Sequence, residues 1–212
     1  MKLYLSSYRI PDIDSLSSLA EKQIEDISLA LIPNAKDYYA FRAKKYKVKD
    51  VLSYQSDKGL RRSAVVDLLD YRNADDLLEE LSQFDVIWCI GGNTFCLRQE
   101  MKRSGFDEIV RKLLDTGVVY GGDSAGAVAI GTSLRGIESA DIPEFAEEVI
   151  YDGIGLVDKV ILPHADNAYF AEANQATRDA HDQDDIIELK DNEALIVNGS
   201  KQKIIASIEA EI

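Results

Sequence analysis

One serine in this chain stands where a nucleophile could. It lies in Gly122-Asp123-Ser124-Ala125-Gly126, at the end of an apolar run and the start of a run of small residues. The pattern is G-x-S-x-G, that of a nucleophile elbow, in which the serine tops a sharp strand-to-helix turn. Glycines on both sides let two backbone segments pass without Cβ clashes. The hydroxyl is then exposed at the tip of the turn. The Ala125 amide points the same way, able to donate to an oxyanion. The same residues also fit a plain strand-to-helix turn, because small residues collect in many turns. The rest of the chain has to discriminate.

A serine hydroxyl is a weak nucleophile until a base takes its proton, and histidine is the usual base near neutral pH. The chain has two histidines, His164 and His181. His181 follows an expected helix among Asp179, Asp182, Asp184 and Asp185, and reads as an exposed residue at a helix C-terminus. His164 closes the run Leu162-Pro163-His164 and is the candidate base; its alternative is a buried histidine satisfied by the backbone. An acid must orient the imidazole. Glu138, Asp141, Glu144, Glu147, Glu148, Asp152 and Asp158 lie between the serine and the histidine, and Asp166 follows just after it. Asp141 attracts attention because Ile142-Pro143 stiffens its loop, but each of these acids also fits a solvated loop. The second oxyanion donor falls to Gly91 or Gly92, in Gly91-Gly92-Asn93-Thr94 after another apolar run. That segment lacks the G-x-G-x-x-G or Walker spacing of a phosphate loop.

These residues need elements to hold them. Strands are expected at residues 2–7, 27–32, 63–69, 84–90, 118–122 and 156–162, then at 186–189, 193–197 and 203–208, with an Asn198-Gly199 turn between the last two. Helices are expected at residues 14–25, 37–55, 74–82, 95–103, 106–115 and 169–181, and one more opens at Ser124. The alternation argues for one α/β domain over residues 1–212, a mostly parallel sheet with helices on both faces. Ligands bind such sheets at the carboxyl ends of their strands. Residues 91–94, 122–124 and 163–166 all follow strands, so a parallel sheet would gather them on one edge.

Composition bounds the partners. The chain has 212 residues, 46% hydrophobic and 29% charged, an ordinary globular balance. A formal net charge of −14 repels phosphate backbones, so nucleic acid is not an expected partner. No apolar run approaches the roughly 18 residues of a membrane span. The first residues turn polar too soon for a secretory leader. Cys89 and Cys96 give no disulfide framework, which fits a cytoplasmic location. No Cys/His set has zinc spacing, and neither metal nor cofactor is expected. The chain is expected to be a monomer or homodimer.

Taken in order, Gly91-Gly92-Asn93-Thr94-Phe95, Gly122-Asp123-Ser124-Ala125-Gly126-Ala127, Asp141-Ile142-Pro143 and Leu162-Pro163-His164 resemble the peptidase E (alpha-aspartyl dipeptidase) family, which includes the cyanophycinases. The resemblance implies a class I glutamine amidotransferase-like, flavodoxin-like α/β fold and a serine peptidase, with a short peptide substrate as the expected partner. It implies Ser124 as nucleophile, His164 as base and Asp141 as acid, with oxyanion donors at Gly92 and Ala125. Asn93, Thr94 and Arg178 become the expected substrate-binding residues, Arg178 by matching a threonine-arginine pair that grips an aspartyl carboxylate. A guanidinium suits that task because its donors match a carboxylate in pairs. Dipeptides with an N-terminal aspartate are therefore one expected substrate class. Asp123 stands where that dipeptidase has a large aromatic, and Ala168-Tyr169-Phe170 replaces a proline- and glycine-containing loop. Two other readings share part of this pattern: an α/β-hydrolase esterase, and a non-catalytic ligand-binding member of the same fold.

Overall fold

The computed structural model describes residues 1–207. Its first half runs β1 (Lys2–Ser6), α1 (Ile13–Ala20), β2 (Ser28–Ile32), α2 (Phe41–Asp57), β3 (Arg62–Val65), α3 (Ala74–Leu81) and β4 (Val86–Cys89). Then come α4 (Thr94–Arg103), α5 (Phe106–Asp115), β5 (Val119–Asp123), α6 (Ala125–Val128), β6 (Val160–Leu162), α7 (Ala171–Ala180), β7 (Ile186–Glu188), β8 (Glu193–Asn198) and β9 (Lys201–Ala206). The main sheet has the order β3-β2-β4-β5-β1-β8-β9. Its first five strands pair in parallel, and the β8–β9 hairpin adds antiparallel to β1.

Successive side chains of a strand face opposite ways, so each buried strand feeds two cores. Leu3, Leu5, Ile87, Cys89 and Tyr120 pack on one face with Leu77, Leu97, Phe106 and Ile109 from α3, α4 and α5. Tyr4, Leu29, Leu31, Trp88 and Val119 pack on the other with Leu16, Leu19 and Val48 from α1 and α2. The α/β class and two-sided helical cover are as the alternation of elements implies.

Register positions the chemistry. Leu5 and Cys89 both pair with Gly122, and Ser6 pairs with Asp123. The residues that follow β1, β4 and β5 therefore emerge side by side at one edge, at Ser7, Gly91-Gly92 and Ser124.

Several elements differ from expectation. The expected helix at 37–55 starts only at Phe41, after a 3-10 turn at Asn34–Lys36. The expected strand at 63–69 ends at Val65, because Asp67 accepts from the Leu69 amide and starts a 3-10 turn at Leu68–Asp70. The strand before His164 is not in the main sheet; β6 pairs with β7 in a separate parallel pair. Its expected first half is diverted, since the amides of Ile154, Gly155 and Leu156 donate to the carbonyls of Ala129, Gly131 and Ile130. The last strand, expected at 203–208, is Lys201–Ala206, and Ile208 lies outside the described residues.

Candidate active site

Ser124 occupies a sharp turn between β5 and α6, with φ 49° and ψ −111°. A non-glycine residue at positive φ is strained, by roughly 1–3 kcal/mol, and persists only where its surroundings hold it. Here they do. The Ser124 amide donates to the Ser6 carbonyl, and the Ser124 carbonyl accepts from Ala127 and Val128. Tyr120, fully buried, donates its hydroxyl to the Gly126 carbonyl at 2.7 Å. A Cβ on Gly126 would lie 2.1 Å from the Cys89 carbonyl oxygen, so only glycine lets the turn sit on β4.

His164 reaches this serine from the loop after β6. Its Nε2 lies 3.0 Å from Ser124 Oγ, and its Nδ1 lies 2.5 Å from Asp191 Oδ1. A carboxylate only accepts, so Nδ1 carries the proton and Nε2 is left to accept from the serine. The residue is held by its backbone and on one face of its ring. The His164 amide donates to Ser7 Oγ at 2.7 Å, its carbonyl accepts from Asn174 Nδ2 at 2.7 Å, and Phe170 stacks on it at 4.3 Å and 14°. Like Ser124, His164 is held at positive φ, 57°.

The acid bonded to His164 is thus Asp191, in the turn between β7 and β8, and not Asp141. Asp141 is engaged elsewhere: its Oδ2 accepts from both the amide and the hydroxyl of Thr94, at 2.8 and 2.5 Å. Asp191 is itself positioned. Asn167 Nδ2 donates to its Oδ2 at 2.8 Å, and its amide donates to Asp166 Oδ1 at 3.0 Å. Asp166, the near-neighbour alternative, therefore holds the acid's backbone rather than the histidine. The chain order is serine, histidine, acid, unlike the serine, acid, histidine order of α/β-hydrolases. Sequence reasoning missed Asp191, Ser7, Asn167 and Asn174. Asp191-Asn192 before β8 reads as an ordinary polar turn, and no spacing rule ties it to His164.

Of the two glycines after β4, one is committed. Gly91 donates its amide to Asp123 Oδ2 at 2.9 Å, while Trp88 Nε1 donates to Asp123 Oδ1 at 2.8 Å. The Gly92 and Ala125 amides have no protein acceptor among the described residues. They remain the candidate oxyanion donors. Asp123 thus ties the glycine loop to the elbow. Burial pushes its carboxyl above the usual range, against the Trp88 and Gly91 donors, which pull it down. Asp123→Ala should leave a buried indole N–H and the Gly91 amide unpaired, at a cost of about 1–3 kcal/mol. A urea titration with unchanged m-value and a lowered midpoint would register that loss; an unmoved midpoint would contradict it.

The expected substrate-binding residues have other partners. Asn93 caps α4 by accepting from the Cys96 amide, and its Nδ2 donates to the Ile142 carbonyl at 2.9 Å. Together with Thr94 it pins the loop at 141–142. Arg178 grips Glu188, with Nε and Nη2 at 2.7 and 2.9 Å from its two carboxylate oxygens. The guanidinium is therefore turned to β7, where the sequence resemblance had it meet a substrate. His181 Nε2 bonds the Arg135 carbonyl. Burial raises the Asp141 carboxyl, opposed by the Thr94 donors, and burial lowers Lys36, opposed by the charges of Asp123 and Asp141. Cys89 and Cys96 are buried and pushed up to about 12, so neither thiol competes as a nucleophile. Among the described residues no cluster of His, Cys, Asp or Glu could hold a metal ion, and no helix is long and apolar enough to cross a membrane.

The mostly parallel sheet, the strained serine at its edge and the Ser124–His164–Asp191 chain define an α/β protein of the serine hydrolase class. The chain belongs to Peptidase family S51, whose family model matches residues 8–205. It is 29% identical over 210 residues to an uncharacterized peptidase of Pasteurella multocida, PM1590, covering 96% of each chain. It is 40% identical over 102 residues to an uncharacterized peptidase of Listeria innocua, Lin0382, a match that spans about half of that protein, 49%. A crystal structure of a protein proposed as a Peptidase E from Listeria monocytogenes superposes with a TM-score of 0.82 at 26% identity, over 97% of this chain and 98% of that one.

Proposed function

We propose that this chain hydrolyses short peptides through an acyl-enzyme on Ser124. The observation that carries the reading is the unbroken hydrogen-bond chain from Ser124 Oγ through the His164 ring to Asp191. In the first half-reaction Ser124 Oγ attacks the scissile carbonyl carbon, and its proton passes to His164 Nε2. Asp191 keeps the imidazole in the tautomer that can accept, and then stabilises the imidazolium. The carbonyl oxygen, now an oxyanion, is met by the Gly92 and Ala125 amides. His164 gives its proton to the leaving amine as the C–N bond breaks. Water then attacks the ester, His164 takes and returns a proton, and the free acid leaves.

Support for peptides over other acyl substrates comes from the family and from relatives described as peptidases. The order of the three residues also departs from that of the esterase alternative. An aryl phosphonate, which phosphonylates activated serines, tests the nucleophile directly. One adduct per chain, located to the peptide containing Ser124 by mass spectrometry, is the expected result. An adduct elsewhere, or none under conditions that label a reference serine peptidase, would remove the basis of the mechanism.

A further inference from the structure

A cavity of about 40 Å³ opens beside Ser124. Its apolar wall is Val128, Ile137, Ala140, Leu162, Phe170 and Ala173. Its polar members are Thr94, Asp141, Asn174 and Thr177, with Ser124 itself at the rim of the same space. At roughly 10–15 Å³ per water-sized group, the cavity holds about three heavy atoms.

The donors in this wall are engaged within the protein. Thr94 gives its amide and hydroxyl to Asp141 Oδ2, Asn174 Nδ2 goes to the His164 carbonyl, and Thr177 Oγ1 goes to the Ala173 carbonyl. No lysine or arginine lines the cavity. Arg178, next along α7 from Thr177, is paired with Glu188. A carboxylate side chain entering here would lose its water, find no cation in the cavity wall and meet Asp141, which already faces the charge of Lys36. A methyl or a small branched alkyl group can lie against the apolar wall and requires no hydrogen bond from the engaged donors. Asp141 Oδ1, meanwhile, has no protein donor among the described residues. The α-nitrogen of an N-terminal residue is two bonds from the carbonyl carbon that Ser124 attacks, so a free ammonium would lie close to the rim where Asp141 stands.

Resting on the acyl-enzyme reading, we infer that this cavity receives the side chain of the substrate's N-terminal residue, that it selects a small uncharged one, and that Asp141 pairs with the free α-ammonium. The substrate class is then short peptides beginning with alanine or a residue of similar size, with an unblocked N-terminus, and N-terminal aspartate is disfavoured.

The test compares Ala-Leu, Asp-Leu and N-acetyl-Ala-Leu as substrates, with phosphonate labelling of Ser124 followed in parallel. The wild-type protein should prefer Ala-Leu over Asp-Leu by at least about 10²-fold in kcat/KM, because the acidic side chain leaves a buried charge unpaired. Acetylation of the amine should cost about 30-fold or more, the loss of a buried charge pair. Asp141→Asn, which keeps an acceptor for Thr94, should lose the discrimination between free and acetylated peptide while still being labelled. Ala140→Leu places its added bulk at an exposed position on the cavity wall, and should shift preference from Ala-Leu to Gly-Leu by at least about 10-fold. A labelled protein that cleaves Asp-Leu as well as Ala-Leu, or acetylated as well as free peptide, or none of these peptides, overturns the assignment and leaves the activated serine standing. A protein that takes no label overturns both.

Discussion

Ser124→Ala is expected to lower kcat for peptide hydrolysis by roughly 10⁵–10⁶-fold, the scale on which removal of a serine nucleophile acts. The other candidate nucleophiles at the site are engaged: Cys89 and Cys96 are buried with thiols held protonated, Thr94 donates its hydroxyl to Asp141, and Ser7 donates its hydroxyl to Asp191. The residual rate would come from the oxyanion donors and binding alone. The fold should be undisturbed. The strained turn is held by backbone bonds from Ser124 to Ser6, Ala127 and Val128, none of which involves the hydroxyl. Steady-state hydrolysis of a dipeptide, with a thermal melt alongside, gives both readings. Retention of more than about one per cent of wild-type kcat in a contaminant-free preparation would defeat the assignment of Ser124.

Asp191→Asn is expected to lower kcat by about 10⁴-fold with little change in KM. An asparagine that keeps accepting at the His164 side must turn its amide towards Asn167 Nδ2, donor against donor. Turned the other way, it donates to His164 Nδ1, which forces the ring proton to Nε2 and removes the acceptor from Ser124. Either way the proton arrangement that activates the serine is lost or weakened while the geometry survives. Asp141→Asn provides the contrast, because Asp141 bonds Thr94 and not the ring. Its effect should fall mainly on KM. The reverse pattern, with Asp141→Asn losing 10³-fold in kcat and Asp191→Asn staying within about tenfold of wild type, would return the acid's role to Asp141.

Half of the site was legible along the chain, and the reason is local. Ser124 and Ala125 are set by a run of small residues after a strand, which admits one kind of turn. Gly92 was legible as one of two glycines after β4; which one stays free depends on Asp123, whose carboxylate takes the Gly91 amide. His164 was legible by elimination between two histidines and by its position after an apolar run. The strand carrying it was expected in the main sheet, yet β6 pairs only with β7, because the residues before it are held by the loop after α6.

Arg178 illustrates a different limit. A guanidinium next to a threonine carries the same donors whichever way it turns. Glu188 on β7, ten residues on, takes them, and nothing in the local sequence ranks Glu188 above a substrate carboxylate. Thr177 beside it does line the cavity, so the pair is split between the two sides of α7.

By itself, then, the sequence determined the α/β class, the turn at Ser124, the unpaired amide that follows it and the histidine that meets the serine, since each depends on residues within a few positions of one another. The tertiary structure alone decided the acid. His164 draws its amide's acceptor from Ser7, 157 residues upstream, and its orienting carboxylate from Asp191, 27 residues downstream. A carboxylate acts on whichever donor lies within about 3 Å of it, and that distance is set by where folded loops meet, not by their spacing in the chain.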